Sequence, residues 1–109
     1  MDVRLAEVAD QLLLIERELR LLGWWAEQPP SAEALASQAP FCVDTMTFEE
    51  WLQWIFLPRM KVILEAGAEL PRVSGILPMA EMAYQERAGN VRGLLEALGA
   101  FDRLIGSAG

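Results

Sequence analysis

Apolar residues at Leu5, Val8, Leu12, Ile15, Leu19 and Leu22 recur at alternating spacings of three and four, which predicts an amphipathic helix with one long apolar seam. Asp2 is placed to cap its start and Gly23 to end it in a left-handed turn. Leu13, Leu14 and Leu21 widen the stripe beyond a coiled-coil seam, so it reads as a face turned to a core. The same spacing returns near the other end of the chain in Val91, Leu94, Leu98, Phe101 and Ile105, after a cap candidate at Asn90 and before Gly106. Two matching seams imply two helices packed along each other.

Between them the pattern is broken and restarted. Pro29 and Pro30 lack donors and stop the first helix, after which Ser31 can cap a short helix over Ala32 to Ser37. Residues 38–45 read as an extended connection with Phe41 and Val43 as anchors. Thr47, with Glu50 three residues on, forms a capping box that starts a central helix, and Met46 and Trp51 stand where a hydrophobic staple would. Pro58 removes the bond its own N–H would make to the Trp54 carbonyl, so this helix must kink, loosen or restart before stopping near Gly67. A turn-rich crossover from Leu70 leads to Pro78, in the first turn of a helix covering Met79 to Arg87 and closing at Gly89. The expected architecture is all-α: a four-helix bundle with a kinked central helix and long connections, as one domain over residues 1–109.

The central helix carries the densest chemistry, with two of the four tryptophans and two of the four phenylalanines in residues 44–60. At about 100° per residue, Phe48, Trp51, Leu52, Ile55, Phe56, Val62 and Ile63 share a face, and Arg59 falls in its middle. A guanidinium there needs a partner. Asp44 or Glu81 can supply a carboxylate, or the cation stands in a pocket open to an anionic or apolar ligand. Leu57, Met60 and Leu64 make a second apolar strip, with Trp54 at the boundary, so the helix is either sandwiched between neighbours or offers one strip to another protein.

Composition narrows the chemistry. Sixteen acidic against nine basic residues give a net charge of −7, which repels phosphates and disfavours direct nucleic-acid binding or a basic membrane-binding face. No apolar run reaches the roughly 18 residues that span a bilayer, and the acidic start is unlike a signal peptide, so a cytoplasmic protein is expected. With no histidine, a single cysteine and no phosphate-binding glycine loop, the chain offers no catalytic constellation. Inward carboxylates could hold metal in a bundle, but the di-iron pattern also demands Glu-x-x-His, so no metal or other cofactor is expected. An enzyme would have to rely on Asp44, Glu50 or Cys42, and the expectation is none.

Asp44-Thr45-Met46, then Trp51-Leu52-Gln53-Trp54 and Pro58-Arg59-Met60, resemble the signature elements of the YqcC-like family, and the resemblance runs over essentially the whole chain. Its members are small bacterial helical-bundle proteins with no established enzymatic activity, whose genes typically accompany one for tRNA pseudouridine synthase C. The resemblance therefore implies an accessory role in tRNA modification, with that synthase as protein partner. It supplies no catalytic residues. It nominates Asp44, Met46, Trp51, Gln53, Trp54, Pro58, Arg59 and Met60 as a partner surface. The alternative is a bundle that binds a small anionic or apolar ligand in a pocket around Arg59.

Overall fold

The computed structural model describes residues 4–71, 74–85 and 90–106. Among these the protein is all-helical: α1 (Leu5–Leu21), α2 (Ala32–Leu35), a 3₁₀ turn (Pro40–Cys42), α3 (Phe48–Trp51), a π-helical turn (Leu52–Phe56), α4 (Leu57–Ala66), α5 (Ile76–Ala83) and α6 (Arg92–Gly106). The two seam helices, α1 and α6, pack along each other, with Val8, Leu12, Ile15 and Leu19 buried against a core that includes Val91, Leu94, Leu98, Phe101 and Ile105. α5 packs on α6, and the rod formed by α3, the π turn and α4 completes the core through Phe48, Leu52, Phe56, Leu57 and Met60.

Helix ends are closed by local and by distant groups. α1 ends as its glycine predicts: Gly23 has φ +76°, its N–H donates to the Arg20 carbonyl at 3.0 Å, and the Trp24 N–H donates to the Leu19 carbonyl at 2.9 Å. Asp2, the expected cap of α1, lies outside the described residues. Arg4 takes the cap position and instead serves the far end of α6, donating from Nη1 to the carbonyls of Leu104 at 2.8 Å and Ile105 at 3.3 Å. Ser31 caps α2, and the capping box of Thr47 and Glu50 is formed. α5 has no cap of its own at Gly75. Asp102 of α6 supplies it, accepting from the N–H groups of Leu77 at 2.8 Å and Ile76 at 3.3 Å and from the Ser74 hydroxyl. α5 starts at Ile76, with Pro78 in its first turn, and ends at Ala83; Arg87 and Gly89, its expected end and stop, lie outside the described residues.

The connection before the central rod departs from expectation. Residues 40–42 wind into a 3₁₀ turn in which Phe41 and Cys42 both take left-handed backbone angles, φ 57° and 51°. This reversal turns the Cys42 side chain inward and leaves Val43, expected to be an anchor, 56% exposed. A left-handed residue with a side chain costs roughly 1–2 kcal/mol. Burial of Cys42 and the packing of the Phe41 ring on Trp51, at 4.9 Å between centroids, offset it.

The break at Pro58 is resolved without ending the rod. One π turn precedes the proline, and the Leu57 N–H donates to the Leu52 carbonyl, five residues back. The extra residue resets the helical phase by about 100°. The inward positions are therefore Phe48, Leu52, Phe56 and Met60, each four residues apart, where an unbroken α-helix would turn Arg59 and Val62 inward. Val62 is 63% exposed and Arg59 is also exposed, correcting their expected place on the apolar face. We expect Leu52→Ala and Met60→Ala each to lower the unfolding free energy by about 2–5 kcal/mol in urea titrations. Val62→Ala should change it by less than about 0.5 kcal/mol. A Val62→Ala loss as large as that of Met60→Ala would restore the unbroken register.

Candidate functional site

The residues nominated from the sequence separate into three depths. Met46, Gln53 and Met60 are buried, Trp51 and Trp54 are half-buried, and Asp44, Pro58 and Arg59 are exposed. The rod and its preceding turn thus hold all eight, but not as one surface.

Gln53 is the buried polar side chain among the described residues. Its Oε1 accepts from the Ala26 N–H at 2.8 Å, and its Nε2 donates to the Ala26 carbonyl at 2.7 Å. This pair satisfies both ends of the amide and pins the segment after α1 against the π turn. The neighbouring tryptophans are fixed with it. Trp24 packs on Tyr84 at 5.1 Å, and the Arg20 guanidinium lies 4.5 Å from the Trp25 ring centre. Tyr84 in turn donates to Glu49 Oε1 at 2.9 Å. Nothing local around Ala26 announces this clamp in the sequence.

Trp51 stands within a chain of ring contacts. It stacks on Phe48 at 5.6 Å and on Phe56 at 5.6 Å, while Phe56 meets the Phe101 ring edge-on at 5.0 Å. Trp54 behaves differently. Its indole N–H is buried and has no acceptor among the described residues.

Arg59 makes no ion pair or hydrogen bond among the described residues, so of its two expected settings the pair with Asp44 or Glu81 is not formed. Asp44 accepts from the Ser37 hydroxyl at 2.5 Å, and Glu81 lies exposed on α5. The physical reason is the phase reset at the π turn, which moves Met60 inward and Arg59 outward. Arg59 stands beside a cleft of about 270 Å³ that Trp51, Phe56, Met60 and Phe101 also line.

Catalytic candidates do not converge. Glu50 Oε1 accepts from the Thr47 N–H at 2.9 Å as half of the capping box, Asp44 is held by Ser37, and Cys42 is buried. Among the described residues no group of three or more Cys, Asp or Glu is gathered to hold a metal ion, and no helix is long and apolar enough to cross a membrane.

This geometry defines a small protein, all-helical among its described residues, with the nominated positions on one central rod and the turn before it. A family model, DUF446, described as tRNA pseudouridine synthase C, matches residues 7–104. An uncharacterized protein of Haemophilus influenzae is 47% identical over 77 residues, covering 71% of this chain and 70% of that protein. The uncharacterized protein YqcC of Escherichia coli is 38% identical over 73 residues, 67% of each chain. The solution NMR structure of E. coli YqcC has the same fold, with a TM-score of 0.86 and 30% identity, covering 99% of this chain and 92% of that one. The chain belongs to the YqcC-like family. A tRNA pseudouridine synthase C of Pectobacterium carotovorum is 50% identical over 66 residues, which is 61% of this chain but only 18% of that protein.

Replacing Gln53 by Met keeps the volume of the side chain but strips the Ala26 N–H and carbonyl of their partners. We expect a loss of about 2–4 kcal/mol in urea unfolding. A loss below about 0.5 kcal/mol would show that the Gln53 clamp carries no stability.

Proposed function

We propose that the chain is a non-catalytic accessory protein that acts with tRNA pseudouridine synthase C in tRNA modification, in the cytoplasm. The observation that carries this reading is the Pectobacterium relative. A protein bearing the synthase's name contains, within 18% of its length, a stretch half identical to 66 residues of this chain. The remainder of that polypeptide leaves room for a separate catalytic domain. E. coli YqcC, covered over 92% of its length, is a separate chain with the same fold. A sequence joined to an enzyme in one bacterium and separate in another is expected to act on that enzyme by docking.

Charge and surface support the same reading. An enzyme that binds tRNA presents basic surface, and a chain of net charge −7 is attracted to it rather than to the nucleic acid. The docking face is the outer side of the central rod, where half-buried Trp54, exposed Pro58 and exposed Val62 follow one another at intervals of four. Trp54 brings a half-buried indole, the side-chain type most enriched among binding anchors. Asp44, exposed on the turn before the rod, adds to the acidic surface.

The test pairs binding with stability. Purified synthase should capture the wild-type chain, and Trp54→Ala should weaken capture by more than about tenfold, as a docking anchor would. Its unfolding free energy should change by less than the roughly 1.4 kcal/mol that tenfold represents. Equal losses in both would make Trp54 a core residue, and no capture of the wild type would reject docking. Deletion of the gene should lower pseudouridine at the synthase's tRNA sites, and unaltered modification would reject the accessory role.

A further inference from the structure

The cleft beside Arg59 has an apolar body and, among the described residues that line it, one charge. Its depth is made by the buried side chains of Phe56, Met60, Ile76 and Phe101, and its walls by the half-buried rings of Phe41 and Trp51. Arg59, exposed at its rim, is the charged residue among those that line it. The Ser74 hydroxyl, which also lines the cleft, is already committed to Asp102. Asp102 is in turn occupied by the start of α5, so it does not compete for the guanidinium.

A volume of about 270 Å³ lies just below the usual range of small-molecule sites and accommodates one ring with a short substituent. The ring walls favour a flat apolar body that can stack or meet them edge-on. A guanidinium with no partner among the described residues, in a chain of net charge −7, selects for an anion at the mouth. One planar fork matches one carboxylate in bidentate fashion, whereas a phosphate dianion among apolar walls would be left with unsatisfied charge.

We propose that this cleft binds an aromatic group carrying a single carboxylate, the ring seated against Phe56 and Phe101 and the carboxylate held by Arg59. Two sources present that chemistry: a free arylalkanoic acid, or the C-terminal aromatic residue of a polypeptide. The site does not depend on docking to a synthase, because it is complete within this chain.

The purified chain alone is titrated with 3-phenylpropionate, 3-phenylpropionamide, and the peptide Gly-Gly-Phe with a free or amidated terminus, and followed by ¹⁵N NMR. At least one of the two acids should bind saturably and shift the Trp51 indole and Arg59 side-chain signals. The matching amide should bind about tenfold more weakly. Arg59→Gln, at an exposed and unpaired position, should leave thermal unfolding unchanged and abolish the preference for acid over amide. Tighter binding of the peptide acid supports the site and assigns it to a chain terminus; tighter binding of 3-phenylpropionate supports it and assigns it to a free acid. Saturation by neither acid, equal binding of acid and amide by the wild type, or an acid preference surviving in Arg59→Gln would overturn the proposal.

Discussion

Four-residue spacing on the inner face of the central rod is the constraint from which the rest follows. Phe48, Leu52, Phe56 and Met60 are all buried, yet each step of four drifts about 40° around an ordinary α-helix. Over three steps the drift would carry Met60 about 120° away from Phe48. A single π turn takes back most of that angle and keeps the apolar row against α1 and α6. Pro58 follows directly after the residue that closes the turn, so the missing donor falls where bonding is already changing from five back to four residues.

The aromatic core is a consequence of this phase. Rings run in contact from Trp24 through Tyr84 and Phe48 to Trp51, Phe56 and Phe101, joining the segment after α1, the end of α5, the rod and α6. Each such contact adds about 0.5–1.5 kcal/mol beyond the area it buries. The Gln53 clamp rests on the same turn: it emerges from the π segment and reaches Ala26, holding the outgoing end of α1 in place. The phase also decides what faces solvent. Arg59 goes to the mouth of the cleft, and Pro58 and Val62 go to the outer side of the rod beyond Trp54.

Elements governed by local rules were legible in the sequence. The seams of α1 and α6, the Gly23 stop and the Thr47 capping box stand where spacing and cap chemistry put them, because each depends on residues within a turn or two. Features that depend on distant partners were not. Asp102 caps a helix that begins 26 residues before it, and Gln53 bonds a backbone 27 residues away. The register after Pro58 was misplaced because a projection at fixed pitch carries Arg59 and Val62 inward. The every-fourth-residue row from Phe48 to Met60, followed by a proline-bearing turn, was the available signal for a π turn. Val43 lost its expected burial to Cys42 because two successive left-handed residues reverse the side-chain directions of an extended strand.

The two roles proposed for the rod, docking on its outer side and ligand binding in the cleft, both depend on the phase set before Pro58. The most direct measurement is the through-hydrogen-bond NMR coupling of the Leu57 amide. A correlation from the Leu57 N–H to the Leu52 carbonyl is the predicted result; a correlation to the Gln53 carbonyl would mean an unbroken α-helix and would contradict the account.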